Sequence, residues 1–486
     1  MNPIKSLLGQ TAIYGLPTIV GRLLNYLLVP LYTSVFTDPA DYGVVSELYA
    51  WVAFLIVLLT FGMETSFFRF LHDKEDKEGV FRNSFLTVIA LNSLFLICLL
   101  VFNQSIADAM LYSEHNEYII LLGIIVCVDA ISALPMAKLR AENKAMKFSL
   151  IHFISIAVNI GLNLVFMLLI FDPSRPEEGI LFILIANLIA SLVKPISTYS
   201  DFIGLRLRYN KELAQEMVKY AFPLVLAGFA GIINETMDRV MLKHLLYSRD
   251  GLSLKAAEAQ LGIYSACYKL AMIVTIFLQA YRYAAEPFFF AQNRNKDRNK
   301  IYVRIMNYFV ASVCFVFLAV ALNIDIFKHF IRNEAYWTGL GVVPILLLAN
   351  VFLGIYYNQS IWYKLSGQTR FGAYIAVGGA LITVLINFIF IPLYGFWASA
   401  WATLIVYAAQ MIASYILSQK YYPINYNLRK FALYFGLSIA LFVITYIINL
   451  DPGVFTISKF VIHNMMILLY VFVVWFIERS TIKTNL

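Results

Sequence analysis

Five basic residues lie inside long apolar stretches of this chain: Arg22, Lys194, Arg239, Lys269 and Arg282. A cation at the centre of a bilayer costs about 2.5–3.5 kcal/mol even on the lenient insertion scales. Such a residue must reach the interface with its long side chain, pair with an acid, or line a wet cavity. A cation that lines a cavity does binding chemistry, because its N–H groups match phosphate and carboxylate oxygens.

The first apolar stretch places Arg22 on a polar helical face. Asn25 and Tyr26 follow it by three and four residues, which puts all three side chains on one side of a helix. Arg22 lies near the middle of the stretch, so we expect it to face a cavity. The alternative is a buried ion pair with Asp129 in the fourth stretch or Glu47 in the second.

The eighth apolar stretch carries a polar stripe in steps of three or four residues: Tyr268, Met272, Thr275, Gln279, Arg282 and Glu286. A polar face of this length is not expected to face lipid. Arg282 and Glu286 are four residues apart and could neutralise each other. Lys269 lies beside the stripe with no acid three or four residues away, so it is the better ligand candidate.

The seventh stretch combines Asn234 with two acids and a base. Arg239 follows Glu235 and Asp238 closely, which favours a structural cluster. The two carboxylates could instead bind a proton or a sodium ion for coupled transport. Lys194 lies in the inner third of the sixth stretch, where we expect its amine to snorkel to the interface.

The elements that must position these residues are membrane-spanning helices. The chain has 486 residues, of which 61% are hydrophobic and 14% charged, with a mean hydropathy of +0.74. A soluble protein carries roughly 25% charged residues. A spanning helix needs about 20 mostly apolar residues, and fourteen stretches qualify: 9–36, 44–68, 83–104, 117–137, 148–171, 179–200, 218–246, 259–290, 303–323, 341–362, 371–391, 396–419, 430–450 and 456–478. We therefore predict an all-α polytopic membrane protein.

Loop charges predict its orientation. Lysine and arginine concentrate in alternate loops, which places both termini in the cytoplasm by the positive-inside rule. No removable signal peptide is expected.

Several classes of function are disfavoured by what the chain contains. Its four cysteines all lie inside apolar runs, and its six histidines show no zinc-ligand spacing. We find no phosphate-binding loop or nucleotide motif, so no ATP site, metal, cofactor or catalytic residue is predicted, and no nucleic-acid partner.

A weak internal repeat predicts the domain organisation. Pro17 opens the first stretch and Pro223 the seventh, and the second and eighth stretches end in Glu64-Thr65-Ser66-Phe67-Phe68 and Glu286-Pro287-Phe288-Phe289-Phe290. The loop 138–144 resembles 364–370, with Lys138 matching Lys364. We expect six-helix bundles at 1–205 and 206–420, a terminal helix pair at 421–486, and a substrate path between the bundles.

The opening of the chain resembles a known family. The arginine within the first span, the segment Pro30-Leu31-Tyr32-Thr33 and Tyr42-Gly43 are similar to bacterial polysaccharide-biosynthesis flippases of the Wzx type. These belong to the multidrug/oligosaccharidyl-lipid/polysaccharide (MOP) exporter superfamily, with the lipid II flippase and the MATE drug exporters. The resemblance implies a V-shaped pair of bundles around a cationic cavity. It also implies alternating access that moves an undecaprenyl-pyrophosphate-linked oligosaccharide across the cytoplasmic membrane.

On this resemblance Arg22 and Lys269, with Arg282 next, would contact the pyrophosphate. Other polar residues could line the cavity or couple transport to Na⁺ or H⁺: Asn25, Tyr26, Asp129, Asn234, Glu235, Asp238, Tyr268, Gln279 and Glu286. The acids leave a MATE-like cation-coupled antiporter as the alternative. An enzyme is disfavoured because the outer loops are short, and a scaffold would leave the polar stripes without a role. We expect a monomer that contacts membrane lipids and works beside glycosyltransferases and a polymerase.

Overall fold

The computed structural model describes residues 20–484 except 22, 25, 204–207, 294–296 and 449–455. Within these ranges the chain is helical, and no strand occurs. It divides into two compact units, Met1–Val240 and Met241–Leu486. This division falls at Val240, whereas the repeat places the boundary near 205, so the bundle limits 1–205, 206–420 and 421–486 stay a prediction.

The first unit is built from nine helices and most of a tenth: α1 Leu28–Val35, α2 Pro39–Thr60, α3 Met63–Asp73, α4 Lys77–Val101, α5 Asn103–Ala109, α6 Asn116–Ala141, α7 Ala145–Val165, α8 Pro176–Ser197, α9 Ser200–Ile203 and α10 Lys211–Ser248. A π-helical turn, Phe166–Ile170, extends α7. Helix α10 continues past the division into the second unit.

The second unit contains the remaining helices: α11 Leu254–Gln292, α12 Arg298–Leu322, α13 Ile324–Phe327, α14 Val343–Gln359, α15 Ile361–Leu365, α16 Arg370–Tyr394, α17 Phe396–Tyr421, α18 Leu428–Ile448 and α19 Ile457–Thr484. Two 3₁₀ segments, Lys328–Phe330 and Glu334–Val342, precede α14.

Thirteen helical segments among the described residues are long and apolar enough to cross a membrane. Each coincides with one of the fourteen predicted stretches. The remaining stretch, 9–36, lies partly outside the described residues, which begin at residue 20. The all-α polytopic fold is confirmed.

Local sequence explains where several of these helices begin and end. Pro39 opens α2, and the side chain of Asp38 accepts a hydrogen bond from the amide of Ala40 at 3.0 Å. The second span breaks where Phe61 and Gly62 take left-handed backbone conformations, with φ of 48° and 62°. Helix α3 begins directly after this break, at Met63.

Apolar packing holds the first unit together around α3. Met63, Phe67, Phe85 and Leu134 are almost fully buried in one cluster with Ala221 of α10. Since these residues come from α3, α4, α6 and α10, the cluster fixes the ends of four helices against each other. The packed cluster therefore holds the polar side chains at these helix ends in fixed positions.

Both units contain an equivalent helix end. Asn143, just after α6, and Gly367, just after α15, have φ of 57° and 69°. In each case the next amide donates to the carbonyl four residues before the left-handed residue, at 2.9 Å and 2.8 Å, which is the Schellman pattern. This register pairs Arg140 with Lys364. The sequence match of Lys138 with Lys364 was wrong by two residues.

Candidate functional site

The first span is only partly described. Arg22 and Asn25 lie outside the described residues, and Tyr26 is half-buried. Farther along, the Tyr32 hydroxyl donates to Asn163 Oδ1 at 2.8 Å, which ties α1 to α7. The role of Arg22 therefore stays a prediction from the sequence.

Asp129, in the middle of α6, forms an ion pair. Its Oδ1 accepts from Lys194 Nζ of α8 at 2.7 Å, and the two side chains are only 24% and 21% exposed. Our expectation that Lys194 snorkels was wrong, because its amine is held by a carboxylate on the neighbouring helix. The pair removes Lys194 from the set of free cations.

Glu47 of α2 is fully buried and hydrogen-bonded. Its Oε2 accepts from the Tyr112 hydroxyl at 2.6 Å, and its Oε1 accepts from Trp51 Nε1 at 3.4 Å. Both acids that we considered as ion-pair partners of Arg22 thus have other partners in the first unit.

The polar side chains of α10 make hydrogen bonds to backbone groups of the same helix. The amide of Arg239 donates to Asp238 Oδ1 at 2.9 Å, and Arg239 Nη1 donates to the carbonyl oxygen of Glu235 at 3.1 Å. Asp238 is buried, Asn234 is half-buried and Glu235 is exposed. The local contacts favour the structural interpretation of Arg239, as the sequence indicated.

In the second unit, Arg282 of α11 stacks on an aromatic ring. Its guanidinium carbon lies 4.3 Å from the ring centroid of Tyr357 on α14. Among the described residues no ion pair joins Arg282 to any acid. Glu286, the expected partner four residues away, pairs instead with Lys364 of α15. No described carboxylate therefore neutralises Arg282, and the N–H groups at the edge of its guanidinium remain donors for an anion.

The pair of Glu286 with Lys364 has a counterpart in the first unit. Glu64 of α3 pairs with Arg140 of α6. Glu64 and Glu286 are the residues that the sequence repeat aligned, and Arg140 and Lys364 are equivalent by their helix ends. An acid–base pair thus joins the second predicted span to the fourth, and another joins the eighth to the tenth.

The other polar residues of the eighth span differ in how far their side chains are buried. Tyr268 is buried and its ring is 6.0 Å from that of Tyr264, while Lys269 and Gln279 are half-buried. Lys269 takes part in contacts within the protein. Arg282 is consequently the best-defined candidate for anion binding among the described cations of this span.

Sequence reasoning missed the roles of Tyr357 and Lys364. Tyr357 provides the ring under Arg282, and Lys364 pairs with Glu286 in place of Arg282. Helical spacing identifies partners on one helix, and it named Glu286 for that reason. The true partners come from α14 and α15, which only tertiary packing brings to α11. The Tyr356-Tyr357 pair near the polar end of the tenth stretch was the available signal.

The arrangement of Arg282 over the Tyr357 ring is suited to binding an anion. A guanidinium on an aromatic face retains the planar fork that fits phosphate oxygens. No group of three or more His, Cys, Asp or Glu that could hold a metal occurs among the described residues.

Residues 7–292 match the family profile described as polysaccharide biosynthesis protein, which is more than half of the chain. The chain belongs to this family. A protein of the Lsg locus of Haemophilus influenzae is 21% identical over 295 residues, covering 59% of this chain and 67% of that protein. An uncharacterised membrane protein of the same organism matches with 21% identity, covering 59% and 65%. The match spans about two thirds of the length of these relatives.

Solved structures share the fold. The lipid II flippase MurJ in an inward closed conformation superposes with a TM-score of 0.69 and 15% identity, covering 96% of this chain and 99% of MurJ. An inward-facing multidrug resistance MATE family transporter of the MOP superfamily gives 0.62 and 14%, covering 84% and 94%. This family member is therefore a multi-pass membrane protein that shares the fold of these two transporters.

Proposed function

We propose that this protein is a flippase that moves an undecaprenyl-pyrophosphate-linked oligosaccharide across the cytoplasmic membrane for polysaccharide biosynthesis. The family match over residues 7–292 carries the proposal, because it links a transporter fold to polysaccharide synthesis. Transport proceeds by alternating access of a cationic cavity, with both termini in the cytoplasm. The chemistry of the substrate fits, since a pyrophosphate needs cations that no protein carboxylate has neutralised.

Arg282 supports the anionic substrate most directly. Its charge is balanced by no acid among the described residues, and the Tyr357 ring holds its plane. A fixed guanidinium loses less conformational entropy on binding than a mobile lysine does. Arg22 and Lys269 are the further pyrophosphate contacts that we propose from the sequence.

The experiment is a deletion of the gene in its host, complemented by wild-type protein or by Arg22→Ala. We expect the deletion to lose surface polysaccharide and to accumulate lipid-linked oligosaccharide in the membrane, and Arg22→Ala to complement poorly at normal protein level. Full surface polysaccharide in the deletion strain would overturn the substrate assignment. Full complementation by Arg22→Ala would overturn the role of that arginine.

A cation-coupled antiporter is the second candidate. Asp238 is only 4% exposed in a membrane-spanning helix, and a buried intramembrane acid is a typical site for proton or sodium coupling. If the protein exports drugs, expression should raise drug resistance, and Asp238→Asn should abolish the gain. Under the flippase proposal, expression leaves drug resistance unchanged.

A further inference from the structure

Helix α11 carries Gln279 at the edge of its buried face. Val274 and Leu278 of this helix are 0% and 2% exposed, and Leu278 packs against Gly354 of α14. Successive residues of an α-helix are rotated by about 100°, so Gln279 is turned about a quarter of a turn from Leu278. Its side chain is half-buried, and Ala280 beyond it is exposed. The amide of Gln279 therefore borders the packed interior without being enclosed by it.

The polar neighbours of Gln279, one turn before and one turn after it, have partners. The Thr275 hydroxyl donates to the carbonyl oxygen of Met272 at 2.7 Å, and Arg282 lies over the Tyr357 ring. The Gln279 amide makes no hydrogen bond to any residue that the structure describes. Lipid offers an amide no hydrogen-bond partner, so such a side chain in a spanning helix is stable only beside water or a ligand.

A side-chain amide has the hydrogen-bonding capacity of a sugar. It offers two N–H donors and a carbonyl oxygen with two lone pairs, and a sugar hydroxyl is likewise both a donor and an acceptor. The amide carries no charge, and hydrogen bonds between neutral groups are about half as strong as those to an ionised group. Gln279 is therefore better matched to the neutral part of a lipid-linked glycan than to its pyrophosphate.

The position of Gln279 relative to Arg282 fits the covalent structure of such a glycan. The two residues are three apart on α11, so their Cβ atoms are about 5–6 Å from each other on the same face. In the proposed substrate the first sugar is bonded directly to the pyrophosphate. A side chain one helical turn from a phosphate ligand is therefore at the right distance to reach that sugar.

We propose that Gln279 binds the first sugar of the lipid-linked glycan while Arg282 binds the adjoining phosphate. The amide carbonyl accepts a hydrogen bond from one sugar hydroxyl, and the amide N–H groups donate to a neighbouring oxygen of the same sugar. Gln279 is then a residue that determines which glycan is selected. This inference rests on the proposed function, because it assigns a role within the same substrate.

Equilibrium binding to the purified full chain in detergent tests the proposal. The probes are undecaprenyl pyrophosphate and the same lipid carrying one glucose, one galactose or one N-acetylglucosamine. Wild-type protein should bind at least one glycosylated lipid about fivefold more tightly than the bare lipid, as one net hydrogen bond provides. Gln279→Met keeps the side-chain length and removes the amide, so it should weaken binding of that glycosylated lipid about fivefold and leave the Kd of the bare lipid unchanged.

Thr275→Val is the matched control, because the Thr275 hydroxyl already donates within the helix, and it should bind all four lipids as the wild type does. Gln279→Ala is a second variant without the amide and should behave as Gln279→Met does. An equal loss for bare and glycosylated lipids would mean that Gln279 contacts the pyrophosphate, and it would overturn the sugar contact. A wild type without sugar preference, or an undiminished preference in both folded variants, would overturn it too. Failure of the wild type to bind any of the four lipids would instead overturn the proposed function.

Discussion

Replacing Arg282 by glutamine removes a charge that no described carboxylate balances. In the wild type the guanidinium lies 4.3 Å from the centroid of the Tyr357 ring, and Glu286 is engaged by Lys364. Glutamine therefore leaves no acid newly unpaired at this place. The effect of Arg282→Gln on ligand binding should reflect the lost cation, with little disturbance of neighbouring ion pairs.

The size of the effect follows from the contact that the arginine would make. A hydrogen bond to a charged group contributes about 1.5–3 kcal/mol, which corresponds to a roughly 10-fold to 150-fold change in Kd. Arg282→Lys keeps the charge and loses the planar fork, so we expect a smaller loss. Tyr357→Leu removes the stacking, worth about 0.5–1 kcal/mol at a partly exposed site, and should weaken binding by roughly 2-fold to 5-fold.

The assay is equilibrium binding of undecaprenyl pyrophosphate to purified protein in detergent, followed by thermophoresis at fixed ionic strength. Arg249→Gln is the matched control. Arg249 also stacks on an aromatic ring, 4.1 Å from the centroid of Phe388, but its Nη1 already donates to the Phe388 carbonyl oxygen at 3.3 Å. We expect the Kd of this control to equal that of the wild type.

Two outcomes would refute this reasoning. Loss of binding by unfolding would require the stacking of Arg282 to be structural, and an unchanged thermal unfolding midpoint of Arg282→Gln excludes that explanation. If Arg282→Gln then binds undecaprenyl pyrophosphate as tightly as the wild type, Arg282 is not a phosphate ligand. If Arg249→Gln weakens binding equally, the effect is one of overall charge.

Two further predictions concern stability, measured as thermal unfolding of the purified protein. Lys194→Met leaves the mostly buried Asp129 unpaired and should destabilise the protein by about 2 kcal/mol, below the roughly 3–5 kcal/mol that breaking a fully buried pair costs. Adding Asp129→Leu should recover most of this loss. An unchanged unfolding midpoint for Lys194→Met alone would contradict the ion pair. Glu64→Arg and Arg140→Glu should each cost about 1 kcal/mol, because these side chains are 41% and 31% exposed, and the double exchange should be more stable than either single variant.

Hydropathy was enough to predict the fold class. A run of about 20 apolar residues has few alternatives to a spanning helix, and all thirteen described spans were located from the sequence. The family resemblance was also visible, in the arginine of the first span and the motifs that follow it.

Ion-pair partners were harder to predict, because they depend on which helices pack together. Lys194 pairs across helices with Asp129, and Glu286 prefers Lys364 to the arginine on its own helix. The i, i+4 rule describes one helix and cannot rank a partner on a neighbouring one. The sequence alignment of Lys138 with Lys364 differs by two residues from the alignment given by the helix ends. The left-handed residues that mark those ends are Asn143 and Gly367, which are different residue types and so do not align in the sequence.

Translocation by purified protein tests the central claim most directly. The protein is reconstituted in liposomes that carry a fluorescent undecaprenyl-pyrophosphate oligosaccharide, and exposure of the glycan on the opposite leaflet is followed with a membrane-impermeant quencher. On the flippase proposal, wild-type protein should speed translocation well above protein-free liposomes, and Arg22→Ala and Arg282→Gln should each reduce the rate at least about tenfold. Translocation no faster than in protein-free liposomes, with folded protein in the membrane, would contradict it.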